Sequence, residues 1–412
     1  MGIDKTDVKM INKRTVLSLI RKHDDIYKTE IARLANLSVP TVMKIVDGFI
    51  ENKIVIESGV GESSGGKPPT LLRFNKSAYY LIGIDTNAVS IVIVVTDLAA
   101  GVIYRNSIKS DTSASPEIVI SQIIFEIERA IEHLSIPKES ILGIGLAVSG
   151  VLDKKNGIAM YSPGFEWDNV NVLGPIRSHF NMHVCMNNNS RCMAMAERWF
   201  GVAGEVDNFI CLNLIYGIGA AIFIDGKLYE GKNETAGEFG HVTMERNGPL
   251  CRCGNYGCLE TLASAYAIEK KAKVYIENGA ATSIAEKAKN KDIDAKMVFD
   301  AAKEGDKLAL EIIAEACEYL GIALAGLVNL LNPDTIILSD TIAGSGKIII
   351  DGIQNAFNKR KLKYAGVGTK IITSRLGPDI AAIGATAFLL EKLIDCGGDA
   401  SQYLQNSIEN FS

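Results

Sequence analysis

The chain has 412 residues and a net charge of −5, with 47% hydrophobic and 22% charged residues. These values are typical of an ordinary globular protein of two or three domains, and no run approaches the roughly eighteen apolar residues that a membrane-spanning helix needs. The N-terminus lacks the apolar core and cleavage site of a secretory signal, and eight cysteines, three of them in one cluster, suit a reducing compartment, so we predict a cytoplasmic protein.

The charge is distributed unevenly along the chain. Residues 1–80 contain 13 Lys and Arg against 9 Asp and Glu, a balance of +4, whereas the remainder contains 30 against 39, a balance of −9. A basic N-terminal segment on an acidic body predicts contact with a polyanion at that end only.

The N-terminal segment has the pattern of three short helices. Apolar residues recur at helical spacing over three stretches, 14–21, 29–37 and 39–53. Ser38 is placed to cap the third helix, and Pro40 falls in its first turn, where the missing N–H costs nothing. The three helices together predict a helix-turn-helix unit.

A strand predicted at 54–59 would turn this unit into a winged variant. We predict a winged helix-turn-helix over residues 1–58, whose third helix enters a DNA major groove. The residues expected to contact DNA are Ser38, Thr41 and Lys44. The alternative is a three-helix interaction module that never meets DNA.

Residues 59–70, GVGESSGGKPPT, mark the clearest boundary in the sequence, because glycine, serine and paired prolines exclude a helix. We predict a wing tip and linker over residues 59–77. Lys67 lies in an extended basic segment that suits a DNA minor groove, so we include it among the DNA-binding residues. The alternative is that the segment forms only the tip of the wing and the link to the body.

From Leu81 onward the pattern changes to alternating strands and helices. Stretches rich in β-branched residues precede a helical stretch at Pro116–Leu134 and a buried strand at 141–148. A hairpin over 209–229 opens a second set of the same kind. This layering predicts an α/β body of two lobes, with lobe 1 formed by residues 78–187 and 379–412 and lobe 2 by residues 188–378.

The most distinctive stretch is 237–260, GEFGHVTMERNGPLCRCGNYGCLE. Thiolate and imidazole are the preferred donors for tetrahedral Zn²⁺, and three cysteines with one histidine form a closed, structural ligand set. Glycines and a proline between them allow a short loop to fold back on an ion. We predict a zinc-binding knot with the ligands His241, Cys251, Cys253 and Cys258. The alternative is an incidental cysteine cluster.

The same stretch carries a family resemblance. The pattern G-E-x-G-H followed by C-x-C-G-x-x-G-C-x-E resembles the signature of the ROK family of repressors, open reading frames and sugar kinases, and the resemblance extends over nearly the whole chain. It implies an actin-like, RNase H-like body of two βββαβα halves around a cleft, in which zinc supports a sugar pocket. The sugar-binding residues that it implies are Asn188, Asn189, Glu238, His241, Glu260 and Gly150. For Gly150, ordinary turn chemistry is the alternative.

The N-terminal segment adds to this resemblance. Residues 32–42 follow the pattern A-x-L-A-x-L-S-x-P-T-V, which resembles the opening of ROK repressors and is missing from ROK kinases. The resemblance therefore favours a regulator over an enzyme.

The machinery of the family's kinases is altered at four places. Asp85 is followed by residues without the glycines of the first phosphate loop, Tyr216 occupies space that phosphate needs in the second, and the adenosine loop is replaced by Ser339-Asp340-Thr341. Asn189 stands where the kinases have a catalytic aspartate, and an amide cannot accept the proton of a sugar hydroxyl. We predict that the protein binds sugar and is not an enzyme.

We therefore interpret the chain as a sugar-responsive transcriptional regulator, a repressor of carbohydrate uptake or catabolism similar to ROK repressors of the xylose or N-acetylglucosamine type. Its partners would be operator DNA and a small sugar, and palindromic operators imply a homodimer or homotetramer. Two alternatives stay open: an ATP-dependent sugar kinase with an added DNA-binding head, and a DNA-bound regulator whose body senses a phosphotransferase protein.

Overall fold

The computed structural model of the protein describes residues 5–23, 25–61, 69–288, 291–338, 347–400 and 402–403. Lys67 and the loop 339–341, which the sequence analysis singled out, lie outside these residues. Along the chain the described part forms an N-terminal head, residues 5–74, and then two lobes that each contain a five-stranded sheet.

The head consists of three helices and a small antiparallel sheet with the strand order β1-β3-β2. Its elements are α1 (Lys5–Lys22), β1 (Ile26–Tyr27), α2 (Lys28–Ala35), α3 (Val39–Glu51), β2 (Val55–Val60) and β3 (Thr70–Phe74). As predicted, Ser38 caps α3, because its Oγ accepts the N–H of Thr41 at 3.3 Å, and Pro40 lies in the first turn. Val42, Val46 and Phe49 form the buried face of that helix.

Two boundaries in the head differ from those the pattern indicated. Helix α1 begins at Lys5 rather than near residue 14, because its first half is polar and gives little apolar periodicity. The range 59–77 was predicted as wing tip and linker, but it includes strand β3. This strand pairs antiparallel with β2, from the pair Val60–Thr70 to the pair Val55–Phe74.

Lobe 1 is built on a mixed sheet with the order β11-β7-β4-β5-β6. Its elements are β4 (Tyr80–Thr86), β5 (Ser90–Asp97), β6 (Val102–Lys109), α4 (Pro116–Leu134), a 3₁₀ turn (Lys138–Ser140), β7 (Ile141–Val148), a small sheet of β8 (Val151–Asp153), β9 (Ile158–Ser162) and β10 (Trp167–Asn171), α5 (Leu173–Phe180) and β11 (Val184–Asn188). Strands β4 to β6 form an antiparallel meander, while β7 and β11 run parallel to β4. Helices α4 and α5 cover one face.

Lobe 2 repeats this plan, with the strand order β14-β13-β12-β15-β16. Its elements are α6 (Asn189–Phe200), β12 (Phe209–Asn213), β13 (Gly219–Ile224), β14 (Lys227–Tyr229), a 3₁₀ turn (Phe239–His241), α7 (Leu259–Ala263), α8 (Ala265–Glu277), α9 (Ser283–Ala288), α10 (Ala295–Lys303), α11 (Lys307–Leu331), β15 (Thr335–Leu338), α12 (Lys347–Arg360) and β16 (Lys370–Thr373). In both sheets a three-stranded meander is followed by two parallel strands on the side of its first strand. The predicted pair of βββαβα halves is therefore present.

Two long helices cross between the sheets. Helix α6 follows the last strand of lobe 1 and packs on the sheet of lobe 2, whereas α13 (Ile380–Asp395) follows the last strand of lobe 2 and packs on the sheet of lobe 1. They pack closely, because a Cβ on Gly384 of α13 would overlap the carbonyl oxygen of Cys192 in α6. The chain thus passes from one lobe to the other next to this helix pair. Among the described helices, none is long and apolar enough to span a membrane.

Candidate functional site

An open cleft lies between the two lobes. Lobe 1 contributes the ends of β4 and β7 and the loop at Pro163–Gly164, and lobe 2 contributes the start of α6, the β12–β13 turn and the cysteine-rich segment 237–260. The structure brings to this cleft all six residues that were predicted to bind sugar: Gly150, Asn188, Asn189, Glu238, His241 and Glu260.

The four predicted metal ligands form one cluster. Their ligand atoms all lie within 4.8 Å of one another. The Nδ1 atom of His241 is 3.6 Å from Sγ of Cys251, and the Sγ atoms of Cys253 and Cys258 are 3.7 Å apart. Tetrahedral zinc, with bonds of about 2.3 Å to sulfur and about 2.0–2.1 Å to nitrogen, requires ligand atoms about 3.6–3.8 Å apart. The donor set and its spacing therefore fit a zinc ion.

Two thiols of this cluster have raised pKa values. Burial and the neighbouring thiols of Cys253 and Cys251 raise the pKa of Cys258 to about 12, and burial raises the pKa of Cys251 as well. Zinc binding at this cluster would therefore release protons from these thiols.

The knot is anchored to the long helix α11. The phenol of Tyr319 in α11 donates a hydrogen bond to the carboxylate of Glu245. The backbone N–H of Glu245 in turn donates to the carbonyl of Gly257 at 3.2 Å. Gly257 has a φ of +65°, and a Cβ there would overlap the carbonyl of Glu245, so this close approach requires glycine. The last cysteine, Cys258, is thus held against the body of lobe 2.

His241 links the cluster to the cleft. While its Nδ1 faces Cys251, its Nε2 lies 3.8 Å from Oε2 of Glu238. Desolvation raises the pKa of Glu238, although His241 and Arg191 oppose this shift. The carboxylate of Glu238 accepts no hydrogen bond from the described residues, so it is available to a hydroxyl group of a ligand.

Glu260 and the two asparagines are partly used by the protein itself. One oxygen of Glu260 accepts the N–H of Ile218 at 3.1 Å. Asn188 donates from Nδ2 to the carbonyl of Gly150 at 3.1 Å and caps α6 by accepting the N–H of Ser190. Asn188 and Gly150 therefore shape the cleft by holding β11 and α6 against the loop after β7.

One wall of the cleft combines Tyr216, which the sequence analysis singled out, with Arg252, which it did not. The guanidinium of Arg252 lies 5.9 Å from the ring of Tyr216 and 4.7 Å from the ring of Tyr266, while Tyr161 of lobe 1 donates a hydrogen bond to the Arg252 carbonyl at 3.1 Å. Tyr216 and Arg252 both line the cleft. For Arg252, the sequence signal was its position between the predicted metal ligands Cys251 and Cys253.

Arg191 is a second residue that the sequence analysis missed. It is almost fully buried in the first turn of α6 and donates to the carboxylate of Glu230 and to the carbonyls of Glu234 and Ala236, at 3.3, 2.7 and 3.3 Å. Lys154 of lobe 1 pairs with Glu230 and with Glu234. Arg191 thus fixes the segment that leads into Glu238, and Lys154 ties the same segment to lobe 1.

The first turn of lobe 1 is organised by a side chain. The Oδ1 atom of Asn87 accepts the N–H groups of Val89 and Ser90 at 2.9 and 3.0 Å. Its Nδ2 donates to the buried carboxylate of Asp85 at 2.9 Å. Burial raises the pKa of Asp85 to about 7; the bond from Asn87 opposes this shift, and the charge of Asp379 adds to it. An amide therefore stabilises this turn, which in the family's kinases is expected to carry glycines.

The predicted DNA-binding residues of α3 lie together at its N-terminal end. Ser38 and Lys44 are exposed, and Thr41 is half-buried. The hydroxyl groups of Ser38 and Thr41 are 2.7 Å apart, so both belong to the cap of the helix.

Comparison with known proteins agrees with this architecture. The ROK family matches residues 81–392. The chain is 31% identical to a xylose repressor from Caldicellulosiruptor bescii, over 94% of this chain and 98% of that protein. A crystal structure described as a ROK family transcriptional regulator, a homologue of the E. coli MLC protein, aligns with a TM-score of 0.81 and 26% identity over 98% of this chain and 99% of that chain.

A sugar kinase shares the fold of the body. The ROK family glucokinase from Streptomyces griseus, solved with glucose and AMPPNP, aligns with a TM-score of 0.66 and 24% identity over 75% of this chain and 98% of the kinase. This likeness shows the actin-like sugar kinase fold alone. From the family match and the similarity to the repressor, we conclude that this chain belongs to the ROK family.

Proposed function

We propose that the protein is a sugar-responsive, DNA-binding transcriptional regulator that represses genes for carbohydrate uptake or catabolism. The observation that carries the proposal is the cleft itself, in which Glu238, His241 and Glu260 remain available to sugar hydroxyls while Asn189 stands in place of a catalytic base. A site that keeps its binding groups and lacks its base suits a sensor.

The head would read DNA as a winged helix-turn-helix. In this proposal α3 enters the major groove and presents Ser38, Thr41 and Lys44, while Lys67, which lies outside the described residues, is included on its sequence alone. Their support is the exposed N-terminal end of α3 and the basic balance of residues 1–80. The similar protein from Caldicellulosiruptor bescii is named a xylose repressor. This name supports operator DNA as the target of the head.

The body would bind the sugar with help from a structural zinc ion. Glu238 and Glu260 offer carboxylate oxygens, His241 offers Nε2, and Asn189 offers an amide. Zinc held by the other nitrogen of His241 and by three cysteines would fix the orientation of that imidazole. Since the similar repressor from Caldicellulosiruptor bescii is named for xylose, D-xylose is the first sugar to test.

The proposal excludes phosphoryl transfer as the main activity. Asn189 cannot remove a proton, Tyr216 with Arg252 forms a wall in the cleft, and the turn around Asn87 lacks the family's phosphate-binding glycines. The alternative is an ATP-dependent sugar kinase with an added DNA-binding head, and its support is the kinase-like fold of the body. Because a palindromic operator has two half-sites, we also propose that the protein acts as a homodimer or a homotetramer.

The experiment that tests the proposal has two parts. The first part is a thermal-shift panel with D-xylose, D-glucose and N-acetyl-D-glucosamine, which measures sugar binding. In the second part, the protein selects a DNA duplex from a random-sequence library, and its affinity for that duplex is measured with and without the stabilising sugar. We expect one sugar to raise the melting temperature and to change the affinity for the duplex. Sugar-dependent ATP hydrolysis without selective DNA binding would favour the kinase instead.

A further inference from the structure

One arginine joins the head to the body. The guanidinium of Arg21, near the end of α1, lies over three aromatic rings, at 5.6 Å from Phe74, 4.9 Å from Trp199 and 5.4 Å from Phe200. Its Nη2 donates to the carbonyl of Trp199 at 3.3 Å. Burial lowers the pKa of Arg21 to about 10. Phe74 belongs to the head and the other two rings to the body, so this side chain bridges the boundary between them.

The body residues at this bridge are the last two of α6. Trp199 and Phe200 pack both against the hydrophobic cluster that runs from the head into α13 and against the cluster that lies between the lobes. A neighbouring ion pair, Lys22 of α1 with Glu205 just after α6, strengthens the same contact. The end of α6 is therefore shared by the head and the interior of the body.

The other end of α6 lies in the cleft. Asn188 caps the helix and Asn189 is its first residue, and both line the cleft. A helix of 12 residues spans about 18 Å, and its close contact with α13 at Cys192 and Gly384 leaves little room for bending. A displacement of its first turn is thus expected to move its last turn.

The second crossing helix reaches the head as well. Near the C-terminal end of α13, Asp395 accepts a hydrogen bond from Nε of Arg14 at 2.7 Å, and Glu391 lies 4.0 Å from the same side chain. The head therefore contacts the C-terminal ends of both α6 and α13. These are the two helices next to which the chain passes from one lobe to the other. The head thus contacts one helix that packs on each lobe.

Resting on the proposed function, we propose that Arg21 is the positioning residue through which the sugar-bound cleft alters the DNA-binding head, with α6 as the element that connects them. A sugar that binds Asn189, Glu238 and His241 contacts both the first turn of α6 and the predicted zinc knot, so it can shift one relative to the other. The resulting shift of Trp199 and Phe200 changes the seat of the Arg21 side chain, and with it the orientation of α1. Differential binding of the sugar to the two arrangements supplies the free energy.

The direct test uses the fluorescence of Trp199 in the full-length protein. The chain has two tryptophans, and the other, Trp167, is buried in lobe 1 against Phe165. In a Trp167→Phe protein the emission therefore reports Trp199 alone. We expect this emission to change when the protein binds the panel sugar that most raises its melting temperature. The sugar concentration that gives half of the emission change should equal the one that gives half of the thermal shift. Stabilisation by sugar without any change in emission would overturn the inference.

The functional test compares Arg21→Lys with Arg360→Lys. Lysine keeps the charge of Arg21 but not the planar group that stacks on the rings, and Arg360 is an exposed control that pairs with Glu318 on lobe 2. In the wild type and the control, we expect sugar to change the affinity for the selected duplex by about 5- to 150-fold, the usual range for such coupling. In Arg21→Lys we expect a change of less than about twofold, with unaltered sugar affinity. Phe200→Leu provides a second variant, should Arg21→Lys fold poorly, and we expect the same loss.

The outcomes separate this inference from the proposed function. If the wild type responds to sugar and both Arg21→Lys and Phe200→Leu respond equally well, Arg21 is not the connection, and the function stands. If no panel sugar stabilises the wild type or alters its DNA binding, the sensor function fails, and the inference fails with it.

Discussion

The imidazole of His241 and the carboxylate of Glu238 join the cluster of three cysteines and one histidine to the cleft. Nε2 of His241 lies 3.8 Å from Oε2 of Glu238, while Nδ1 of the same ring lies 3.6 Å from the sulfur of Cys251. A metal that holds one nitrogen fixes where the other nitrogen points. Loss of a metal ion from the cluster should therefore weaken the binding of a ligand in the cleft.

The first prediction concerns the metal. Purified protein should contain about one zinc ion per chain, because one Cys₃His set binds one ion. Cys253→Ser removes a ligand and should lower both the zinc content and the sugar-induced rise in melting temperature. Elemental analysis and the thermal-shift assay measure the two effects. Cys396→Ser, outside the cluster, is the control, and a zinc-free protein with full sugar binding would refute the link.

The second prediction concerns Glu238. Glu238→Gln replaces a charged acceptor and should weaken sugar binding by about 1.5–3 kcal/mol, the range for hydrogen bonds to charged groups, which is roughly 10- to 150-fold in the dissociation constant. Affinity for the selected duplex without sugar should stay unchanged, since Glu238 lies in the cleft. Calorimetric titration measures the first quantity. Glu277→Gln, exposed at the end of α8, should bind sugar as the wild type does.

Local signals were sufficient for much of the fold. Helix Pro116–Leu134 was predicted with its observed bounds because Pro116 marks its first turn and apolar residues continue to its end. The metal cluster followed from residue types within a short stretch, where spacing alone brings the ligands together. By contrast, Arg21 and Trp199 are 178 residues apart in the sequence. No local sequence pattern specifies which aromatic rings an arginine will contact at such a separation. The place of Tyr216 in the cleft was predicted, but the packing of Arg252 against its ring was missed for the same reason.

The third prediction concerns catalysis. The wild type should show no sugar-dependent release of ADP from ATP, because Asn189 cannot act as a base. Asn189→Asp restores a carboxylate but should not restore turnover, since the turn around Asn87 and the ring of Tyr216 still occupy the region expected to receive phosphate. A coupled assay with an authentic ROK glucokinase as positive control measures this. Turnover in the wild type above that of a mock purification would favour the kinase alternative.

The fourth prediction concerns pH. The folded-state pKa of Asp85 is about 7, above its ordinary value of 3.8, so the folded protein binds this proton more tightly than the unfolded chain does. The resulting stabilisation is complete below about pH 4, is lost as the pH rises to about 7, and amounts to about 4 kcal/mol at most. The nearest charge, Asp379, is itself paired with Arg105 at 2.7 Å.

Asp85→Asn removes this titration. Its free energy of unfolding should therefore fall less than that of the wild type between pH 5 and pH 8, as measured by urea denaturation at each pH. Asp292→Asn, a fully exposed position, should keep the wild-type slope. Equal slopes for Asp85→Asn and the wild type would show that burial does not perturb this carboxyl group.

The last prediction separates DNA reading from sugar sensing. Lys44 is exposed on α3, the helix proposed to enter the major groove, and lies in the head rather than in the cleft. Lys44→Ala should weaken binding to the selected duplex by about 1–3 kcal/mol, as for a lost contact to a base, while sugar binding stays intact. Fluorescence anisotropy and calorimetry measure the two affinities. Lys370→Ala, exposed at the start of β16, removes the same charge from lobe 2 and should bind DNA normally. If both lysine variants lost affinity equally, net charge rather than α3 would account for DNA binding, and the assignment of α3 as the reading helix would be wrong.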